Sequence, residues 1–356
     1  MKKILVSGGA GFVGRHLVQS VAGEQDTETW IIDDLSIGTH PSQWEIAPAT
    51  MISDSGGVEL HRLESGITVH FIRANFAAVC GAELGVTPAL GLQTLPQFDE
   101  VYHLASIVGG RSLIEGHPLK VGLDLAIDSL FFLWAAEVNR PKRILCASSS
   151  AAYPISLQTD VRHLALSETM IDFDAGVLAP DFTYGWSKLT SEYLARVAVE
   201  RYGLSVAIVR PFSGYGEDQD STYPVPAIAL RVAARQDPVR IWGSGTQGRD
   251  FVHISDCVLG MKLACRNVSD GTAFNLGSGD LTSFVDLAHL MLDIEGYAAE
   301  VRPTENRPVG VAHRYADTRR SRELLGWVPL VDLREGMSRV LRHARIRLGT
   351  GVLPPP

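Results

Sequence analysis

Short apolar runs alternate with longer helical patterns through the first part of the chain. Runs of this kind are typical of parallel strands that are buried on both faces of a sheet. Because segments with helical character lie between several of them, the pattern predicts an α/β fold with a doubly wound parallel (Rossmann) sheet. The predicted strands are residues 4–7, 29–32, 67–72, 100–106, 143–148 and 205–209, and the predicted helices include 15–21, 124–138 and 183–201.

A glycine-rich turn joins the first predicted strand to the first predicted helix. Such a turn lets the backbone approach a pyrophosphate and points a helix N-terminus at it. Asp33 lies 19 positions after Gly14 (33 − 14), near the spacing of the acid that binds an adenosine ribose. A carboxylate there repels a 2′-phosphate and favours NAD over NADP, although a glycine turn in an unrelated α/β protein is the alternative. The predicted cofactor contacts in this region are Gly8, Gly11, Phe12, Val13, Gly14, Asp33 and Asp34.

The ends of the other strands supply further candidates, because ligands of open α/β sheets bind at the carboxyl ends of the strands. Small residues follow the fourth strand, where a cofactor can lie across the strand end, and an Asn-Phe pair follows the third strand, where adenine can be contacted. His103 is expected to be a packed core histidine. We predict cofactor contacts at Asn75, Phe76, Leu104, Ala105 and Ser106, and substrate contacts in the loop 107–111 at Gly109 and Gly110.

Tyr184 and Lys188 are four positions apart in a predicted helix and therefore share one face. A lysine ammonium beside a phenol favours the phenolate, so the pair can move a proton on and off a sugar or alcohol hydroxyl. Ser149 and Ser150 follow the fifth strand, where a serine hydroxyl can bond the same substrate oxygen. Each signal alone has a simpler explanation, a chance pair on a surface helix or the start of a solvated loop.

The pattern changes after residue 211, with shorter elements, more loops and more arginine. We predict a dinucleotide-binding domain over 1–211 and a substrate-binding lobe over 212–350, part of which returns to the first domain. The clustering of Arg302, Arg307 and Arg314 suggests a diphosphate, which guanidinium groups bind bidentately. A last helix is predicted to end near residues 325–327. The segments 38–66 and 77–98 are poorly patterned insertions without a predicted role.

Composition excludes several other classes of protein. The 356 residues include 46% hydrophobic and 20% charged residues, as in an ordinary globular protein. A net charge of −8 provides no basic footprint for nucleic acid and no attraction to anionic lipid. The N-terminal apolar run is too short for a membrane span. The four cysteines have no close spacing, so we predict a cytoplasmic protein without disulfides or a metal site.

Taken together and in order, these motifs resemble the extended short-chain dehydrogenase/reductase family, in its NAD-dependent nucleotide-sugar epimerase/dehydratase branch. The resemblance covers nearly the whole chain. It rests on Gly-Gly-Ala-Gly-Phe-Val-Gly at 8–14, Asp33-Asp34-Leu35-Ser36, His103-Leu104-Ala105, Ser148-Ser149-Ser150, Tyr184-x-x-x-Lys188, Arg210-Pro211-Phe212, Gly248-Arg249-Asp250-Phe251 and Leu325-Gly326-Trp327.

The resemblance implies roles for individual residues. Tyr184 would be the acid/base, Lys188 would bind the nicotinamide ribose and lower the tyrosine pKa, and Ser149 would match the catalytic Ser/Thr. It also implies a nucleotide-diphosphate sugar as substrate and a homodimer formed through the helices at 124–138 and 183–201. Ser213 stands where many members have Asn. The further implied contacts are Pro211 with the cofactor and Arg249, Arg307 and Arg314 with the diphosphate.

Departures from the family pattern reduce the number of reactions that the resemblance implies for this chain. Members that dehydrate or decarboxylate carry acids between the catalytic Ser/Thr and the next Tyr, whereas this chain has Ser150, Ala151 and Ala152. The chain also partly resembles GDP-mannose 3,5-epimerase, which needs a cysteine at the position of Ala151 and a lysine that is absent from 217–231.

We therefore predict an NAD-dependent nucleotide-sugar epimerase that acts at C4 through a transient 4-keto sugar. A nucleotide-sugar dehydrogenase or 4-ketoreductase is the alternative. Two further hypotheses are a relative of the 3,5-epimerase and a non-catalytic NAD-binding protein.

Overall fold

The computed structural model describes residues 1–161, 163–304 and 310–351. Its strands are β1 (Lys2–Ser7), β2 (Thr27–Asp33), β3 (Thr50–Ser55), β4 (Val58–Arg62), β5 (Thr68–Arg73), β6 (Glu100–His103), β7 (Arg143–Ala147), β8 (Val206–Pro211), β9 (Ser213–Tyr215), β10 (Val239–Trp242), β11 (Gly248–Arg249), β12 (Phe251–His253), β13 (Asp270–Leu276), β14 (Thr282–Ser283), β15 (Val301–Thr304) and β16 (His313–Arg314). Its α-helices are α1 (Phe12–Ala22), α2 (Phe76–Glu83), α3 (Arg111–Gly116), α4 (Pro118–Val121), α5 (Asp124–Trp134), α6 (Phe182–Tyr202), α7 (Pro224–Ala233), α8 (Ile254–Asn267), α9 (Phe284–Glu295), α10 (Arg319–Leu325) and α11 (Leu333–Gly349).

A nine-stranded sheet forms the centre of the molecule, in the order β13-β8-β7-β6-β1-β2-β5-β4-β3. The seven strands from β13 to β5 are parallel, while β4 and β3 continue the edge in antiparallel pairing. Helices α1 and α8 cover one face, and α2, α5 and α6 cover the other, each over its own apolar core. The predicted doubly wound parallel fold is therefore confirmed. The strand order reverses between β1 and β6, where such folds bind their ligands.

The antiparallel hairpin is the main feature of the insertion at 38–66. All six residues of β3 are exposed, so no alternation of apolar and polar residues indicates a strand there. Helix α2, at the start of the second insertion, lies over an apolar core with Phe76, Val79 and Cys80 buried. Nearly all its residues are apolar, which removes the periodicity that predicts a helix.

One predicted boundary was wrong, and the last helix was missed. Strand β6 ends at His103, not at Ser106, because the chain then leaves the sheet: the N–H of Ala105 bonds to the Ser7 hydroxyl and that of Ile107 to Asp124. The helix near residue 325, α10, is followed by the longer α11, which packs an apolar face on α7 and α9. Helix α11 contains many arginines, which lie largely on its outer surface. Because they alternate with the apolar residues in the sequence, the apolar face of the helix is not apparent from the sequence alone.

The chain beyond residue 211 contributes to both parts of the molecule. Helices α7, α9 and α11 enclose a third apolar core with β10. Strand β13 returns to the central sheet beside β8, and α8 packs against α1. In the described parts of the chain, no helix is both long and apolar enough to cross a membrane.

Candidate active site

The glycine loop, residues 8–14, turns tightly between β1 and α1. Gly8 has a φ of +71°, and a Cβ there would lie 2.8 Å from the backbone nitrogen of Ala105. A Cβ on Gly14 would lie 2.2 Å from the carbonyl oxygen of Gly8. Gly11 occupies the N-cap of α1 and offers no capping side chain. The first turn of the helix, which begins with Phe12 and Val13, therefore presents backbone N–H groups to an anion.

Asp33 and Asp34 follow β2 but face different surroundings. Asp33 is buried, and its carboxylate accepts hydrogen bonds from the N–H of Ala10 at 3.0 Å and of Leu35 at 2.9 Å. Burial raises the pKa of Asp33. Asp34 is exposed and accepts a hydrogen bond of 3.0 Å from Nδ2 of Asn75. The first acid thus ties the glycine loop to the end of β2, and the second faces solvent at the same edge.

Phe76 lies away from the cleft. Its ring is buried and packs on His103, Phe131 and Trp134 beneath the sheet. The side chain is therefore part of the apolar core, and the preceding residue, Asn75, is the N-cap of α2.

Leu104, Ala105 and Ser106 are half-buried where β6 ends, beside the glycine loop. The Ser106 hydroxyl donates a hydrogen bond of 2.7 Å to Asp124, which also accepts one from the N–H of Ile107. Asp124 is buried at the start of α5, and burial raises its pKa. Sequence patterns did not identify Asp124, because its partners lie 17 and 18 positions away.

His103, expected to be a core residue, is buried. One ring nitrogen lies 2.9 Å from the hydroxyl of Ser7, and the other lies 2.9 Å from Asp128. This chain of contacts joins β1, β6 and α5 behind the cleft.

Tyr184 and Lys188 lie on one face of α6. The Lys188 ammonium is buried, 5.7 Å from the centre of the half-buried Tyr184 ring. Burial opposes the charge on Lys188, but Tyr184 and the carboxylates of Asp124 and Asp128 outweigh it and raise the pKa of Lys188. The lysine therefore stays cationic beside the phenol.

Ser149 begins a short 3-10 turn that packs against the start of α6. Its hydroxyl oxygen accepts a hydrogen bond of 3.1 Å from the N–H of Ala151, and Ser150 is buried in the turn. The Ala151 carbonyl accepts a hydrogen bond of 3.0 Å from the N–H of Asp181. A Cβ on Gly185 would lie 2.4 Å from that carbonyl oxygen. Glycine beside Tyr184 thus lets α6 approach the turn that carries Ser149.

The side chains at positions 151–153, just after Ser149 and Ser150, provide no acid or base for proton transfer. Ala151 and Ala152 are buried, and the buried hydroxyl of Tyr153 donates a hydrogen bond of 2.7 Å to Asn275. Behind this turn, Arg210 makes a two-point ion pair with Glu192 at 2.8 and 2.6 Å. This stretch therefore supports the cleft and contributes no carboxylate to it.

Three arginines, here called the arginine cluster, lie around the carboxylate of Asp181 at the start of α6. Arg249 and Arg314 are register partners on β11 and β16, and Arg111 comes from the start of α3. Asp181 accepts hydrogen bonds from Arg111 at 2.8 and 3.0 Å and from Arg314 at 2.7 Å. Burial, followed by the repulsion of Arg314 and Arg111, lowers the pKa of Arg249 to about 9. Arg111 also pairs with Glu115 at 2.8 Å. The cluster brings three guanidinium groups together, which is an arrangement that suits an anion.

The remaining predicted contacts border this arrangement. Gly109 and Gly110 precede α3, and a Cβ on Gly110 would lie 3.3 Å from the carbonyl oxygen of Thr222. Pro211 ends β8, and Ser213 begins β9 just after it. Arg307 lies outside the described residues.

Asp181 and Tyr223 were missing from the predicted site residues, and Arg111 was included only through the predicted loop 107–111. Tyr223 precedes α7, and its pKa is raised by burial and, to a lesser extent, by the neighbouring Tyr184. Asp181 and Tyr184 are close in sequence, but the link from Asp181 to Arg111 spans 70 positions.

Comparison with known proteins agrees with this geometry. The NAD dependent epimerase/dehydratase family matches residues 4–277. The chain belongs to this family. The predicted cofactor, NAD, is thereby confirmed, and the bare glycine loop, which a Cβ at Gly8 or Gly14 would obstruct, fits a dinucleotide.

The individual relatives are named for different nucleotide sugars and different epimerisation reactions. An uncharacterised UDP-glucose epimerase of Bacillus subtilis is 27% identical over 344 residues, which are 96% of this chain and 97% of its own. GDP-mannose 3,5-epimerase of Arabidopsis thaliana is 29% identical over 243 residues, 67% of this chain and 63% of its own. The crystal structure of UDP-glucose 4-epimerase from Thermotoga maritima, with UDP-glucose, has a TM-score of 0.78. It is 23% identical and covers 97% of this chain and 99% of its own, so it shows the shared fold.

Proposed function

We propose that the protein is an NAD-dependent nucleotide-sugar epimerase that inverts the sugar at C4. The observation that carries this proposal is the pair of Tyr184 and buried Lys188 next to Ser149, at the end of a cleft whose other end holds the arginine cluster. In this arrangement the Tyr184–Lys188 pair can transfer a proton, and the arginine cluster can bind an anion. Similarity over nearly the full length of a UDP-glucose epimerase relative supports the same reaction class.

The residues of the chain perform the proton steps. The adjacent Lys188 cation stabilises the phenolate form of Tyr184. This phenolate takes the proton from the C4 hydroxyl and becomes a neutral phenol. Ser149 directs its hydroxyl at the same substrate oxygen. Bound NAD supplies the acceptor and donor of a hydride, held by the glycine loop and the acids after β2. After the keto sugar has turned, Tyr184 returns the proton to the oxygen at C4.

The arginine cluster keeps the sugar in the cleft during this sequence. Arg249 and Arg314, with Arg111 beside them, bind the diphosphate through charge-assisted hydrogen bonds. Binding energy from the nucleotide and diphosphate, remote from C4, retains the keto sugar while it presents its other face. Arg307 is assigned to the same diphosphate by the family resemblance alone.

Two other reactions of the family fit less well. Dehydration and 3,5-epimerisation need an acid or a thiol next to Ser149, where the chain has buried Ala151 and Ala152. The similarity to GDP-mannose 3,5-epimerase keeps a GDP-sugar among the substrates to be tested. A dehydrogenase or ketoreductase would use the same groups but release the keto or reduced sugar. A non-catalytic NAD-binding protein would have no use for the Tyr184–Lys188 pair.

Incubation with UDP-, GDP-, dTDP- and CDP-sugars, without added cofactor, tests the proposal. We expect one sugar to be converted to its C4 epimer, as resolved by chromatography. Tyr184→Phe should lose at least about 100-fold in turnover while retaining NAD, whereas Tyr202→Phe, at the exposed end of α6, should not change it. Conversion only with stoichiometric NAD would indicate a dehydrogenase. No conversion of any sugar would favour the non-catalytic alternative.

The assembly and location are also part of the proposal. Exposed apolar side chains on α5 and α6, including Leu125, Trp186 and Tyr193, suit a homodimer in which these helices pair. Sedimentation should give a dimer, and Trp186→Lys should give a monomer. The four cysteines are free and buried, which suits the reducing cytoplasm. Localisation of a tagged chain tests this assignment.

A further inference from the structure

The insertion at 38–66 brings together two histidines and one glutamate that have no part in the cleft. Glu59 and His61 are two positions apart on β4 and therefore point to the same face. His40 comes from the segment that leads into the short 3-10 turn Pro41–Gln43. Oε2 of Glu59 lies 2.9 Å from Nε2 of His40 and 2.7 Å from Nε2 of His61. These three atoms lie within 4.8 Å of one another.

The three atoms are the donor set of a transition-metal site. Two imidazole nitrogens and one carboxylate oxygen suit Zn²⁺ and its first-row neighbours, whereas Mg²⁺ and Ca²⁺ prefer oxygen ligands. Ligand atoms around a tetrahedral zinc ion are about 3.3 Å apart, given zinc–nitrogen distances of about 2.0–2.1 Å. The two measured separations are shorter than this by about half an ångström. Small side-chain rotations are therefore enough to admit an ion.

Hydrogen bonding alone gives an incomplete account of the cluster. The His61 side chain is fully buried, and its Nδ1 has no hydrogen-bond partner among the residues that the structure describes. Both imidazoles converge on one oxygen of Glu59 through their Nε2 atoms. A metal ion would accept one lone pair from each Nε2 atom, in place of the single oxygen that the two imidazoles share. Glu59 and His40 keep 20% and 23% of their side-chain surface exposed, which gives an ion a path from solvent.

We propose that His40, Glu59 and His61 bind one divalent transition-metal ion of the Zn²⁺ class, with solvent in the fourth position. The ion would join β4 to the segment that closes over the glycine loop. In that segment, the N–H of Thr39 donates a hydrogen bond of 3.0 Å to the carbonyl oxygen of Ala10. The site is structural, and it is independent of the reaction at Tyr184.

Zinc titration of the full-length, chelator-treated protein against a chromophoric zinc chelator tests the site. We expect one equivalent to bind with a dissociation constant below about 1 µM, and zinc in excess to raise Tm by about 3–5 °C. Glu59→Gln keeps the shape of the side chain and removes its charge. It should weaken zinc binding at least 100-fold and abolish the Tm shift, and His40→Ala should do the same. His289→Ala, on the exposed surface of α9, is the matched control and should bind zinc unchanged.

Two results would overturn the proposal. One is the absence of a stoichiometric zinc ion at micromolar concentration in the unaltered protein. The other is zinc binding of equal strength in Glu59→Gln and in the unaltered chain. Either result would mean that the three side chains form only a hydrogen-bonded cluster.

Discussion

Asp181 neutralises part of the arginine cluster, and replacing it with asparagine tests how that cluster binds an anion. The carboxylate occupies the N-cap position of α6 but makes no capping hydrogen bond there. It is instead shared by Arg111 and Arg314, with Arg249 nearby. A substrate diphosphate would therefore have to draw guanidinium groups away from Asp181. Asp181→Asn should make the empty site less stable and the diphosphate bind more tightly.

The size of the effect follows from the burial of the pair. The Asp181 side chain is 4% exposed and that of Arg314 is 12% exposed. Removing one partner of a buried ion pair costs about 3–5 kcal/mol. Asparagine keeps one acceptor oxygen and Arg111 is 22% exposed, so a loss of about 2–3 kcal/mol is expected in the ligand-free protein. If half of this is recovered when a diphosphate supplies the missing charge, the affinity rises about tenfold.

Two measurements on the purified variant check this reasoning. Urea unfolding without ligand gives the loss of stability, and calorimetric titration with UDP and GDP gives the change in affinity. Glu115→Gln is the matched control, because Glu115 also pairs with Arg111, at 2.8 Å, but is 30% exposed. It should cost less than about 1 kcal/mol and leave the affinity unchanged. Weaker binding of both diphosphates by Asp181→Asn would refute the competition, since the carboxylate would then be orienting the arginines for the ligand.

Three further substitutions have expected outcomes. Gly14→Ala should abolish NAD retention, because its Cβ would lie 2.2 Å from a carbonyl oxygen of the glycine loop; cofactor absorbance after gel filtration measures this. Glu192→Gln should cost about 3 kcal/mol in urea unfolding, because it leaves a buried arginine unpaired. Glu45 contacts His343 and Arg347, whose hydrogen bonds, led by that of His343, lower its pKa from 4.5 to about 2. This pKa is lower in the folded state, so the carboxylate stabilises the fold above pH 4.5 and loses that effect as the pH falls towards 2. Glu45→Gln should therefore cost about 1 kcal/mol at pH 7, since Glu45 is 48% exposed, and nothing near pH 2.

Each of these substitutions has a control or a contradicting result. Gly23→Ala, at the C-cap of α1, has no contact shorter than 3.6 Å for its Cβ and should retain NAD. Glu300→Gln breaks an exposed ion pair with Arg302 and should change the unfolding free energy little. A stability difference for Glu45→Gln that persists unchanged from pH 7 to pH 2 would contradict the assigned ion pairs.

Local patterns in the sequence predicted the parallel sheet, the glycine turn and the shared helical face of Tyr184 and Lys188. The glycine loop is a turn whose geometry depends on residues within seven positions, and Tyr184 and Lys188 are related by one turn of helix. Buried parallel strands are recognisable as apolar runs in the sequence. For this reason the sequence predicted β1, β2, β5, β6, β7 and β8 of the parallel sheet. Assignments of individual side chains to NAD or substrate remain predictions.

Features made by contacts between distant segments could not be predicted in the same way. Asp124 holds the loop after β6, and the Arg111–Asp181 pair joins two segments 70 positions apart. No local spacing encodes such pairs. The hairpin of β3 and β4 escaped prediction for a different reason, because an exposed edge strand needs no apolar face. Phe76 shows that an aromatic side chain near a strand end can pack in the core beneath it, while its assignment to the cofactor stays a prediction.

Helix α6 joins the arginine cluster to the pair of Tyr184 and Lys188. Asp181, at its N-cap, Tyr184 and Lys188 are separated by three and four positions, so they follow one face of a single helix. The first belongs to the arginine cluster, and the last lies among the carboxylates beneath the end of β6. A 21-residue helix packed on the central sheet is rigid on the scale of these spacings. If the arginine cluster binds the diphosphate and Tyr184 transfers the proton, as proposed, one element sets the distance between the two groups, and the sugar needs rotational freedom only between them.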